Sequence, residues 1–342
     1  MEITEIKKLI SSSEYDFLRT NEHLGNNIIL LTLGGSHAYG TNIETSDVDV
    51  RGCALNSKAD ILTNQNFEQF VNEETDTTIY AFNKLITLLS NVNPNTIEIL
   101  GCKPEHYLYL SPIGQELLDN KHLFLSKKCV YSFGGYATAQ LRRLDNKAVR
   151  LATQPEREIH ILNSVNNAAY TFKDKYFTFD EDAIKLYIDK SEQEEYDTEI
   201  FMDINLKHYP LRDYSNMWSE MNNIVKEYNK LGKRNSHAIE HGKLAKHMMH
   251  LVRLYLMCLD ILNDGEIITY REKDHDFLMD IRNGKYLDEN RQPTAEFFDI
   301  VKDLESKLEV AKNTTELPDH PDYKKINEFV ASVNERIVRG EI

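Results

Sequence analysis

The sequence contains no apolar run approaching the roughly 20 residues that a membrane-spanning helix needs. Its first residues, MEITEIKKLISSSEYDF, lack a basic start followed by an apolar core, so no secretory leader is expected and cytoplasmic residence is the default expectation. Cysteine is scarce. Cys53, Cys102, Cys129 and Cys258 lie far apart with no CxxC spacing, which excludes a disulfide framework and a cysteine-based zinc site and leaves buried free thiols. Glycine and proline number 14 and 8, and there is no internal repeat or low-complexity tract. Positive charge is in deficit, with 40 Lys and Arg against 55 Asp and Glu, a net charge of −15. That argues against a protein that wraps nucleic acid over a broad face. It leaves room for a local basic pocket that takes a nucleotide or an RNA end, because the field at a site depends on its own lining.

What is present suits a soluble globular chain. Its 342 residues are 41% hydrophobic and 28% charged, enough for a large core and two domains. Residues 1–25 read as a helix packed on the first of these domains. Asn27 to Leu33 is a short apolar run that reads as a buried strand. Asp47 to Leu55 alternates and carries β-branched valines, so it reads as a second strand. Phe67 to Val71 and Thr77 to Phe82 read as a strand pair joined through NEETD. Asn83 to Asn91 and Asn95 to Leu100 read as helices. From Ser126 onward the pattern is mostly helical: Tyr131 to Leu144, Ser164 to Phe172, Leu211 to Leu231, Lys243 to Asn263 and Thr294 to Lys312. The acidic stretch Phe179 to Glu199 reads as a solvated surface excursion. The expected fold is mixed α/β, with a small twisted sheet in residues 1–125 and a mostly helical domain in residues 126–342.

The chemistry concentrates in LTLGGSHAYGTNIETSDVDVRG, Leu31 to Gly52. In a strand, residues i and i+2 share a face, so Asp47 and Asp49 would project together. Two adjacent carboxylates repel unless a cation neutralises them. Magnesium takes carboxylate oxygens together with substrate phosphates, and a pair of such ions can clamp the attacking and leaving oxygens of a phosphoryl displacement. A lone DxD is usually a solvated strand edge. This one comes after Gly34-Gly35-Ser36, where glycines let backbone N–H groups approach phosphate and Ser36 adds a hydroxyl. His37 and Tyr39 lie in the same turn, as nucleotide contacts or as turn packing. Arg51 shares the face of the acids and pairs either with a carboxylate or with a phosphate.

The order of apolar strand, GGS, spacer and DxD resembles the signature of the DNA polymerase β-like nucleotidyltransferase superfamily. The longer string GGSHAYGTNIETSDVDVRG resembles its YcgL/RlaP-type branch of bacteria and phages, the RNA-ligase-associated polymerases. DTTIYAFNKLITLLSNVNPNTIEIL (Asp76 to Leu100), KHMMHLVRLYLMCLDILNDGEI (Lys246 to Ile267) and DIRNGKY (Asp280 to Tyr286) resemble further segments of that branch. The resemblance implies that Gly35 and Ser36 hold the triphosphate of an incoming nucleotide. It implies that Asp47 and Asp49 ligate magnesium, with manganese as the alternative, in a two-metal site. A third carboxylate would complete the site and activate the acceptor. Asp76 is the choice, and Glu74 is the rival by strand parity. Glu98 reads as a helix residue that supports the site.

A second cluster lies on the helix that begins near Lys243. At about 100° per residue, Lys243, Lys246, His247, His250 and Arg253 share an arc of about 120°, opposite Leu244, Met248, Leu251 and Tyr255. The stripe is either a solvated face or a basic wall for the nucleotide, for which Lys246, His250 and Arg253 are the candidates. His237, His241, His247 and His250 lack a recognisable zinc pattern. Gln140, Arg142, Arg143 and Lys147 form a third basic patch, a helix surface or a substrate face.

The expected activity is transfer of a nucleoside monophosphate from a nucleoside triphosphate such as ATP to an acceptor hydroxyl, with pyrophosphate leaving. The family branch favours an RNA end, such as that of a tRNA, as acceptor. Nucleotidylation of a protein or a small molecule uses the same core. A catalytically silent nucleotide sensor is the rival of a different class, and the presence of GGS, DxD and a third acid counts against it.

Overall fold

The structure is a computed structural model. It describes residues 2–63, 67–134, 137, 184–190, 198–205, 207–211, 214, 215, 218, 222, 243–289, 291 and 293–342. The chain divides into two compact units, one of residues 1–140 with 248–342 and one of residues 141–247.

The first unit is built on a five-stranded mixed sheet. Its strands are β1 (Ile28–Leu33), β2 (Val50–Ala54), β3 (Gln69–Asn72), β4 (Thr77–Ala81) and β5 (Tyr107–Leu110), in the order β3-β4-β2-β1-β5. All six residues of β1 are buried, as its unbroken IILLTL run requires of a strand covered on both faces. β1 runs antiparallel to β2 and to β5, β4 runs parallel to β2, and β3 closes the edge antiparallel to β4. The N-terminal helix Ile3–Ile10 buries Ile6 and Ile10 in a cluster with Leu18, Leu24, Leu31, Leu33, Val50 and Ile79. Its start is tied by the Glu2 backbone N–H donating to Glu5 Oε2 at 2.9 Å.

The sequence places a boundary near residue 125 and treats everything beyond it as one helical domain. The structure instead returns residues 248–342 to the unit of the sheet. The packing gives the reason. In the helix Tyr323–Arg339, Phe329 meets Phe82 edge-on at 5.8 Å, and Arg336 forms a two-pronged pair with Glu116 at 2.9 and 2.7 Å. Among the described residues no helix is long and apolar enough to cross a membrane.

In the second unit, β6 (Ile184–Lys190) and β7 (Thr198–Ile204) pair antiparallel along their whole length, from Ile184 opposite Ile204 to Lys190 opposite Thr198. The acidic stretch 179–199 thus contains paired strand, not only a solvated excursion. Ile184, Leu186 and Ile188 alternate with polar neighbours, the period of a strand, and acidic composition hides that signal. Residues 211, 214, 215, 218 and 222 are helical, as expected for that stretch. Ser164 to Phe172, Gln140, Arg142, Arg143, Lys147, His237 and His241 lie outside the described residues.

Candidate active site

β1 delivers the chain to Gly34 and Gly35, and the helix Gly35–Tyr39 begins at once. Gly35 has φ +53°, the left-handed region. A Cβ added there would lie 1.9 Å from Asp49 Oδ2, and one added at Gly34 would lie 2.8 Å from Arg51 Cγ. The two glycines are therefore required by the acidic segment that packs on them. The expected turn is a short helix in which Ser36, His37 and Tyr39 are all buried.

The DxD pair lies just ahead of β2, not inside it as expected. The Gly34 N–H donates to the Asp49 carbonyl at 2.8 Å, which carries the β1–β2 pairing one residue beyond the strand. Before that, the Ile43 N–H donates to Ser46 Oγ at 2.9 Å and bends the chain away. Asp49 is consequently half-buried, and Asp47 is exposed.

Arg51 joins the acids. Its Nη2 lies 3.3 Å from Asp49 Oδ1 and 3.2 Å from Asp76 Oδ1, and its Nη1 donates to the Asp76 carbonyl at 2.6 Å. Burial opposes the charge of Arg51, but the carboxylates of Asp49 and Asp76 outweigh it and hold the guanidinium above its ordinary value. The parallel register sets Val50 opposite Thr77 and Arg51 opposite Thr78. Extended by one residue, it sets Asp49 opposite Asp76. Glu74 sits in the exposed turn ahead of β4. Geometry thus brings Asp76, and not Glu74, to Asp49.

Behind the turn lies a second, buried cluster. Tyr39 Oη donates to Glu98 at 3.0 and 2.9 Å, and Arg253 Nη1 pairs with Glu98 Oε2 at 3.3 Å. The Arg253 guanidinium lies over the Tyr39 ring at 3.7 Å, and the His250 ring meets the same tyrosine edge-on at 6.2 Å. Burial pushes the Glu98 carboxyl up, and Arg253 and Tyr39 offset part of this. The basic stripe expected on the helix Lys243–Asp264 is therefore not one exposed face. Arg253 is turned into the core and held by Glu98, and His250 is half-buried against Tyr39. Lys246 is exposed and belongs to the unit of residues 141–247.

The segment after that helix straps the cluster from behind. Thr269 Oγ1 donates to the Glu98 carbonyl at 2.7 Å, and the Arg271 N–H donates to the Tyr39 carbonyl at 3.0 Å. The Arg271 side chain is itself held between Asp260 and Asp274. Sequence pattern alone marks none of these contacts with the turn, because they join segments far apart in the chain. Nor does it mark Arg282, which reaches Ser46 with Nη2 at 3.4 Å; in the last turn of its helix it reads as an ordinary C-terminal cation.

Asp47, Asp49 and Asp76 are oxygen donors of the kind magnesium takes. Asp49 and Asp76 already flank a cation, the guanidinium of Arg51, so the place between them accepts positive charge. In kind, the donor set fits a hard divalent ion. Among the described residues no group of three or more His, Cys, Asp or Glu side chains converges on one point.

The family model described as RlaP, RNA repair pathway DNA polymerase beta family, matches residues 10–173. The matched segment, a little under half of the chain, is similar to that polymerase β-like nucleotidyltransferase family. The family implies a nucleotide as substrate, and its description names RNA repair. The match covers β1 to β5, with both acids of the DxD and Asp76, and ends ahead of the long helix. No curated protein and no solved structure gives a significant match.

Proposed function

We propose that this polymerase β-like chain transfers a nucleoside monophosphate from a nucleoside triphosphate to the hydroxyl of an RNA end, such as that of a tRNA, and releases pyrophosphate. The observation that carries the reading is the packing of Asp49 against Gly35, so close that a Cβ has no room, with Asp76 tied to the same place through Arg51. That packing joins the glycine turn to a carboxylate pair.

In this reading Asp47, Asp49 and Asp76 hold magnesium, which supplies charge neutralisation at the phosphates when bound. Gly35 and Ser36 orient the triphosphate. The acceptor oxygen attacks the α-phosphorus, and the bond to the β-phosphate oxygen breaks. The electron pair leaves with pyrophosphate. Asp76, whose side chain is more exposed than that of Asp49, accepts the proton of the acceptor hydroxyl. Arg51, held between the carboxylates of Asp49 and Asp76, would also donate to a phosphate oxygen of the nucleotide. Tyr39, Glu98 and Arg253 fix the turn from behind and touch no substrate.

The test is incubation of the protein with each α-labelled nucleoside triphosphate, magnesium, and pools of cellular RNA and protein. Label in RNA that depends on Asp49 supports the reading. Label in protein alone, or nucleotide binding with no incorporation, sinks the choice of acceptor or the enzymatic reading respectively.

A further inference from the structure

Three of the buried or half-buried arginines near the site have acids to answer them. Arg51 has Asp49 and Asp76, Arg253 has Glu98, and Arg271 has Asp260 and Asp274. Arg282 does not. It ends the helix His275–Arg282 and is half-buried. Its Nη1 is fully shielded from solvent and has no hydrogen-bond partner, and among the described residues no carboxylate pairs with it. Burial lowers its affinity for the proton with no acid to counter the effect. In a chain with 55 acidic and 40 basic residues, a desolvated guanidinium without a counter-ion is a cost that folding alone does not explain.

Its position gives the explanation. Arg282 Nη2 lies 3.4 Å from Ser46 Oγ, and Ser46 directly precedes Asp47. Burial lowers the proton affinity of His37, and the Ser46 backbone beside it offsets part of this. His37 is 7% exposed, and its Nε2 is also buried without a partner. Arg282 and His37, each with one buried nitrogen that has no partner, therefore both lie beside Ser46, between the glycine turn and the DxD. Among the described residues no carboxylate meets either. A guanidinium offers parallel N–H donors that match the oxygens of a phosphate.

We propose that Arg282, with Ser46 and His37 beside it, binds the phosphate tail of the nucleotide, the β- and γ-phosphates that leave as pyrophosphate. The proposal deepens the nucleotidyltransferase reading and rests on it for the identity of the anion. Asp47, Asp49 and Asp76 then serve the reacting phosphate, and Arg282 serves the leaving group. The arginine comes from residues beyond the matched segment 10–173, so the C-terminal part of the first unit completes the site.

Equilibrium titration tests this on the full chain, with inorganic pyrophosphate, each ribonucleoside triphosphate, the free nucleosides, and a short RNA with and without a terminal phosphate. Arg282→Gln is expected to weaken pyrophosphate and triphosphate binding about 10- to 100-fold, the range for a charged hydrogen-bonded contact. Nucleoside binding should not change, and the melting temperature should hold or rise. Arg282→Lys should recover part of the loss, since it returns charge without the fork. Unchanged pyrophosphate and triphosphate affinity in Arg282→Gln overturns the proposal, and so does a fall in melting temperature with unchanged affinity, which marks a structural arginine. Loss confined to the phosphorylated RNA overturns it in favour of an acceptor phosphate. If the wild type binds pyrophosphate through Arg282 yet takes no nucleoside triphosphate, the anion site stands and the nucleotidyltransferase reading fails alone.

Discussion

Two arginine–carboxylate clusters flank the glycine turn, and they differ in their access to water. In front, the side chains of Arg51, Asp49 and Asp76 are 21, 18 and 58% exposed. Behind, those of Arg253 and Glu98 are 5 and 8% exposed. The chemistry of the pairs is the same, but the consequences are not. A solvent-reached pair is weak and exchangeable, so its cation can give way to another. A buried pair recovers its desolvation only while both partners remain, so it fixes geometry and tolerates little. In the function proposed above, the front cluster is the working site and the rear cluster is its mount.

The strongest way to break this contrast is to remove one partner behind the turn. Arg253→Leu leaves the buried Glu98 carboxyl without its pairing cation, with Tyr39 still bonded to it. It should destabilise the first unit by about 3–5 kcal/mol, read from the urea midpoint. Adding Glu98→Gln should return a large part of that loss, because the carboxyl left without its cation is gone. If Arg253→Leu shifts the midpoint no further than a surface substitution does, the rear cluster is not the mount.

In front, the balance reverses. Asp49→Asn keeps shape and removes charge. It should cost about 10²–10³-fold in nucleotide incorporation while the urea midpoint stays within about 1 kcal/mol of wild type. Gly35→Ala should do both kinds of damage, because the new Cβ meets Asp49 and the residue must hold φ +53°. A stability loss on the order of 1–3 kcal/mol is expected, together with loss of incorporation. Arg51→Lys should have a smaller effect, on the order of tenfold in activity, since the charge stays and the two-pronged geometry goes. Were Asp49→Asn to unfold the chain as Arg253→Leu does, the front and rear clusters would not differ in kind.

Much of the front is legible in the sequence, because its residues are neighbours there. The unbroken apolar run of β1, the glycine pair and the DxD lie within Ile28 to Asp49, and local pattern encodes local structure. Asp76 as the third carboxylate rests on the family resemblance, and the register with β2, extended by one residue, sets Asp76 opposite Asp49. Valine alternation puts the start of β2 at Asp47, ahead of its true start at Val50, since residues 47–49 alternate in sequence without being part of the strand. The rear is not legible, because Glu98, Arg253 and Thr269 are joined only by folding. A helical wheel places Arg253 on a polar stripe and cannot know that a carboxylate 155 residues away in sequence lies inside the core. The same limit hides Arg282, which touches Ser46 across 236 residues.

The smallest effect, and the sharpest test of how dry the rear cluster is, concerns pH. Burial raises the Glu98 carboxyl above its ordinary value of 4.5 despite Arg253 and Tyr39. The folded chain thus holds this proton more tightly than the unfolded chain. Below the ordinary value both states are protonated and the group contributes no slope. As pH rises from there through the raised folded value, the unfolded chain ionises first and the folded chain loses relative stability. Glu98→Gln cannot ionise and should lack that decline. The difference in urea midpoint between Glu98→Gln and wild type should therefore move in favour of the variant as pH climbs above the ordinary carboxyl range, and then level off. Other carboxylates cancel in that difference. A difference that moves in the opposite direction would mean that Arg253 holds Glu98 ionised below its ordinary value, and the rear cluster would then be an ion pair that outweighs its own burial.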